Sequence, residues 1–219
     1  MYLTRLTLLD HPDLKAIVQQ LGDAYREHQM LWRLFDPAPD TKRDFLYRRD
    51  VHLGRPRYFI LSRRPPVNPL GLWHIDPPKP FEPKLQAGQK LAFLLRANPV
   101  VRRDRERHDI VMDKKKRIGW KSLPLDKRPP LPELIHRAGL DWLSAQGKRH
   151  GFNIDHGAVR VDGYCQHHTR RGGHAIHFST LDFTGLLTVT DPELFRKALF
   201  QGIGPAKAFG CGLLLVRKV

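Results

Sequence analysis

Tyr25 and His28 stand three positions apart in Tyr-Arg-Glu-His-Gln-Met-Leu-Trp-Arg-Leu-Phe, residues 25–35. Ala24, His28, Leu31, Trp32 and Phe35 recur there at helical spacing, which predicts one stripe on a helix. Residues three apart on a helix are neighbours, so the phenol and the imidazole can face one cleft. Histidine, with a reference pKa of ~6.5, suits proton transfer at neutral pH. The same stripe also fits a packed, structural imidazole. On spacing alone that is the commoner outcome.

A second pattern is the glycine loop Gly202-Ile-Gly204-Pro-Ala-Lys207-Ala-Phe-Gly210-Cys-Gly212. Glycine permits positive φ and close backbone approach, so amides can turn toward an anion while Lys207 adds charge. The GxxxxGK motif followed by Ser or Thr is absent, so this is not the phosphate loop of nucleotide hydrolases. A connection that merely lets a helix pack on a strand has the same spacing, and both readings stay open.

Two basic clusters follow. Arg102, Arg103, Arg105, Arg107, Lys114, Lys115, Lys116 and Arg117 could line a polyanion backbone, or form a solvated loop balanced by Asp104, Glu106, Asp109 and Asp113. His167, His168, Arg170, Arg171, His174 and His177 read as a hairpin loop able to enter a groove. With Cys165 these histidines are also metal-ligand types. Their spacing matches no zinc-finger pair and there is no second Cys-x-x-Cys, so no metal is expected. Carboxylates paired for two-metal chemistry and a GxSxG nucleophile motif are both lacking.

The composition says what these residues would meet. Lys and Arg number 38 against 22 Asp and Glu, a net charge of +16, which favours a polyanion and above all a nucleic acid. The basic residues do not share one apolar-faced helix, which weakens a membrane-surface reading. No run approaches the ~18 apolar residues of a membrane span, and the start resembles no leader, so a cytoplasmic protein is expected. The two cysteines, Cys165 and Cys211, are expected as reduced thiols.

The elements must position these groups. The sequence predicts a strand over 2–8 and a helical region over 12–35, broken near Gly22 and restarted with Asp23 as N-cap. After the turn-rich 36–40 come strands over 45–49 and 58–62, a proline-rich loop, and a strand ended by Asn98-Pro99. That order suggests a ferredoxin-like half, residues 1–100. Residues 101–130, basic and proline-rich, read as a connecting segment. Over 131–219 a helix, three strand-like runs, a helix capped by Asp191-Pro192 and a final strand repeat the order. The fold class expected is α+β.

The segments 1–8, 25–35, Arg43 to Leu46, Leu95 to Pro99 and Gln201 to Leu214 resemble the CRISPR repeat-RNA endoribonucleases of the type I-E Cascade complex, a family of the repeat-associated RNA-binding superfamily. The glycine pattern G-x-G-x5-G-x-G between a helix and the last strand carries much of the likeness. The resemblance implies two tandem ferredoxin-like domains and metal-independent, cofactor-free cleavage at the 3′ base of a CRISPR repeat RNA hairpin. It also implies retention of the product beside the other Cascade subunits. The family's catalytic histidine falls on His28, its tyrosine on Tyr25, and a position that can be basic on Arg33. Candidate RNA-binding residues are Lys114, Lys115, Lys116, Arg117, Arg170, Arg171, Gly202, Gly204, Lys207, Gly210 and Gly212. The rival is a non-catalytic RNA-binding scaffold subunit of the same superfamily; a more distant one is a ribosome-associated basic protein.

Overall fold

Thr4, Leu6 and Leu8 are buried and alternate with more exposed neighbours along β1 (Tyr2–Leu8), the pattern of a strand with one covered face. A computed structural model describes residues 1–35 and 44–219; the turn expected at 36–40 and Arg43 lie outside the described residues. β1 pairs antiparallel with β3 (Arg55–Ser62), which in turn pairs with β2 (Phe45–His52). The short β4 (Trp73–Ile75) and β5 (Lys79–Pro80) complete the other edge, giving the order β2-β3-β1-β4 with β5 also on β1. α1 (Leu14–Gln20) and α2 (Ala24–Trp32) cover this sheet, burying Ile17, Leu21 and Leu31 against Leu6, Tyr47, Tyr58 and Ile60.

The second sheet contains β6 (Lys90–Ala97), β9 (Phe152–Arg171), β10 (His174–Val189) and β11 (Leu214–Lys218), in the order β11-β6-β10-β9 and antiparallel throughout. α4 (Leu131–His150) and α5 (Pro192–Gln201) press Leu143, Phe195 and Leu199 onto Phe93, Leu95 and Phe183. The whole is mixed α and β, with antiparallel sheets.

Two boundaries differ from those expected. The strand over 90–97 pairs with β10 and β11, so the sheets part between β5 and β6 and not near residue 100. Residues 101–130 are no free connector. They form the hairpin of β7 (Val100–Arg103) and β8 (Glu106–Asp109), then α3 (Ile110–Arg117), folded onto the second core. Ile110 and Val111, an apolar pair inside a charged run, are buried there and anchor the segment.

β9 and β10 outrun their sheet. β6 pairs with β10 only over 181–188, so Cys165–Arg171 and His174–Thr180 project as a two-stranded ribbon of roughly 20 Å at about 3.3 Å per residue. Gly172 and Gly173, both at positive φ, close its tip, as a two-residue hairpin turn requires. Leu46, Leu61 and Leu213 join the two sheets, beside an ion cluster in which Asp182 binds Arg96 at 2.7 Å and Arg48 at 3.2 Å.

Candidate active site

α2 is fixed by the residue that precedes His28. Glu27 is buried, and its carboxylate accepts hydrogen bonds from the hydroxyls of Tyr58 (2.7 Å) and Tyr47 (3.3 Å) and from Arg49 (3.1 Å). Burial pushes the Glu27 pKa up, against the lowering effect of these partners. Burial, with that carboxylate beside them, also pushes both phenols well up, so they remain donors. The Tyr47 hydroxyl lies 3.1 Å from the Ala208 carbonyl as well, so one side chain reaches both α2 and the glycine loop.

The start of α2 is tied to the ribbon. Asp23 caps the helix by accepting from the Arg26 amide at 2.9 Å and also accepts from the Thr169 hydroxyl at 2.8 Å. Burial works to raise its pKa, but these hydrogen bonds hold it below the usual carboxylate range. Between helix and ribbon opens a cleft of about 700 Å³ with Tyr25, Arg26 and Gln29 on one wall and His168, Arg170 and His177 on the other.

The three residues proposed for chemistry divide at this point. Tyr25 lines the cleft. His28, half-buried on the flank of the helix, is not among the lining residues; its ring meets Trp32 edge-on at 5.6 Å and stacks on Phe45 at 6.2 Å. Arg33 is exposed at the C-cap, over a separate shallow depression shared with Gln20, Arg26, Gln29 and Met30.

The glycine loop serves packing and surface together. Gly202, Gly204, Gly210 and Gly212 all have φ between +75° and +92°. A Cβ on Gly210 would sit 3.0 Å from the Tyr47 ring, and one on Gly212 2.9 Å from the Ile203 carbonyl. Gly202, Gly210 and Gly212 are buried, so they support the loop from behind. Gly204 is part-exposed and opens onto a groove; Lys207 is half-buried beside Gly212.

That groove, about 540 Å³, carries the basic run. Lys114 and Arg117, one turn apart on α3, line it with Arg102, Arg103, Arg107 and Arg149 over a floor that includes Trp142. Lys114 also pairs with Asp141 at 3.2 Å, and Arg103 with Asp113 at 2.7 Å. Lys115 turns away over the Trp120 ring at 4.8 Å, and Lys116 is exposed. All four sit in the last turn of α3, where positive charge also offsets the helix dipole. Arg149, 32 residues beyond Arg117 in sequence, carries no local signal that links it to this groove.

The cysteine–histidine cluster does not converge. His167 bonds the Thr180 hydroxyl at 2.9 Å and stacks on Phe178, while His168 and His177 meet on the other face of the ribbon. Among the described residues no group of three or more His, Cys, Asp or Glu is placed to hold a metal ion. Cys165 and Cys211 are separate free thiols, and burial pushes that of Cys211 up to about 12. No helix among the described residues is long and apolar enough to cross a membrane.

Comparison with known proteins covers the same ground from end to end. The chain is 32% identical over 196 residues to the CRISPR system Cascade subunit CasE of Escherichia coli, spanning 88% of this chain and 90% of that protein. It is 29% identical to the CRISPR-associated endoribonuclease Cse3 of Thermus thermophilus, over 99% of each. The structure of Thermus thermophilus Cse3 bound to an RNA representing a pre-cleavage complex superposes with a TM-score of 0.76 at 28% identity, over 99% of this chain and 98% of that one. With residues 1–218 also matching the family described as CRISPR associated protein, the chain belongs to the CRISPR-associated protein family.

Proposed function

We propose that this chain is a metal-independent endoribonuclease that cuts CRISPR repeat hairpins in precursor RNA and stays with its product as a Cascade subunit. The observation that carries the reading is the likeness, over nearly the whole chain, to an endoribonuclease bound to RNA before cleavage. The strand orders support two tandem ferredoxin-like units. In each sheet the first and third strands are central and the second and fourth flank them, although no helix separates β3 from β4.

RNA supplies its own nucleophile. The 2′-hydroxyl attacks the neighbouring phosphorus, an O2′–P bond forms, and the P–O5′ bond breaks, which leaves a 2′,3′-cyclic phosphate and a 5′-hydroxyl. The protein must move protons and stabilise charge on the phosphate. In this reading His28 takes the 2′-hydroxyl proton, Tyr25 donates to a phosphate oxygen, and Arg33 adds positive charge. This role requires His28 to turn about χ1 from its packing on Trp32 and Phe45 toward the cleft. The +16 net charge and the groove beside Gly204 draw in and hold the RNA backbone.

The product ends test this directly. Expected are an upstream fragment whose 3′ end resists a monoester phosphatase and a downstream fragment labelled by polynucleotide kinase without prior dephosphorylation. A 3′-hydroxyl facing a 5′-phosphate would overturn the mechanism and point to an activated water. The packing of His28 on Trp32 and Phe45 also fits a non-catalytic scaffold subunit. Its outcome is intact RNA in a stable complex.

A further inference from the structure

We propose that His168 and His177 form a second proton-transfer pair, which protonates the leaving 5′-oxygen of RNA held in the Tyr25 cleft. The proposal rests on the endoribonuclease reading above. The two residues are directly opposite each other across β9 and β10, both exposed, with their Nδ1 atoms 2.5 Å apart. Between neutral imidazoles that contact needs one Nδ1–H and one Nδ1 lone pair, so the rings hold opposite tautomers. One ring therefore has a bare Nε2 and the other an Nε2–H. The contact sorts two equivalent side chains into a proton acceptor and a proton donor.

The pair is placed where such a donor is needed. Thr169, between His168 and Arg170, is bonded to the Asp23 cap, which fixes the ribbon against the start of α2. Tyr25 and Arg26 from α2 face the pair across the cleft, and Arg170 stands beside it on the ribbon. Arg107 and Asp109 of β8 stand in the adjoining depression. Asp109 already accepts from the Met112 amide at 2.8 Å, from Tyr164 at 3.1 Å and from Ser179, so it does not claim the pair's proton. With His28 as the base, the leaving oxygen can draw its proton from a separate donor, and the imidazoles that line the cleft are His168 and His177.

The proton count closes. The 2′-hydroxyl proton passes to His28, and the leaving 5′-oxygen takes the Nε2–H of one ring of the pair. The shared proton then shifts across the Nδ1–Nδ1 contact. The other ring takes a proton at its bare Nε2 from water in the open cleft, to which His28 returns the one it gained.

The test uses the full chain, a labelled repeat hairpin in single turnover at saturating protein, hairpin affinity and thermal melting. His168→Ala and His177→Ala should each slow cleavage by roughly 10²-fold, the scale of one positioned acid, while affinity stays within threefold. A substrate with sulfur in place of the 5′-oxygen has a leaving group that needs no proton. Both variants should cut it at close to the wild-type rate. If an alanine variant melts early, His177→Gln or His168→Gln, of similar size and polarity, replaces it. Full cleavage of the ordinary hairpin by both variants would overturn the proposal. So would a defect that the sulfur substrate does not repair, or a loss confined to affinity, the mark of a groove contact. Failure of the wild-type chain to cut either substrate would instead overturn the endoribonuclease reading itself.

Discussion

For His28 the sequence offers two readings that it could not separate, because a helical stripe shared with Leu31, Trp32 and Phe35 describes a packed imidazole and a catalytic one equally well. The structure adds Phe45, 17 residues away, whose contact no local pattern announces. His28→Ala should remove most cleavage, by roughly 10²-fold or more, with hairpin affinity nearly intact, since proton transfer and groove binding use different side chains. Single-turnover cleavage within threefold of wild type would take His28 out of the mechanism. Glu27 was not legible at all. A carboxylate in a polar helical segment reads as solvent-facing, and its partners Arg49, Tyr47 and Tyr58 lie across the sheet. Glu27→Ala leaves the buried Tyr58 hydroxyl without its acceptor and takes the carboxylate from Tyr47 and Arg49, which keep the Ala208 and Leu21 carbonyls. The loss should cost roughly 3 kcal/mol in chemical denaturation. A loss below about 1 kcal/mol would show that the network does not hold α2.

At the scale of elements, α3 shows why a charge run misleads. Lys114 to Arg117 read as part of a connector because charge dominates the window, yet Ile110 and Val111 anchor it as a helix on the second core. A helix points four consecutive side chains in four directions, so only Lys114 and Arg117 reach the groove. Each phosphate contact contributes roughly −0.7 to −0.9 to the log–log salt slope of binding, depending on strandedness. Replacing all four by alanine should therefore reduce the slope in magnitude by about 1.5, the share of two contacts. Parallel lines for wild type and variant across a salt series would show that α3 does not touch RNA. The helix limits were readable where caps announce them, at Asp23 and at Asp191-Pro192. The ribbon was readable as a hairpin, but its length was not, because exposed alternation with polar residues looks like a loop.

For the whole molecule, the α+β class and the basic charge were visible in the sequence. The three strand-like runs expected between the helices of the second half are two strands, β9 and β10, and the pairing of β6 left no sign. Lys90–Ala97 follows the first sheet in the chain, but its partners Leu181–Thr188 and Leu214–Lys218 are supplied some ninety residues and more later. Strand partnership at that distance leaves no trace in local periodicity. The consequence is spatial: the glycine loop that follows α5 lies against Tyr47 of the first sheet, and Thr169 of the ribbon bonds Asp23, so α2, loop and ribbon share one neighbourhood. The central claim, that this neighbourhood cuts RNA with its own side chains, is tested by incubating the wild-type chain with an end-labelled repeat hairpin in excess EDTA. Cutting at the 3′ base of the hairpin, at a rate unchanged by the chelator, is the result predicted. RNA that is bound but uncut, with cleavage of an unstructured model substrate restored only by a divalent ion, would contradict it.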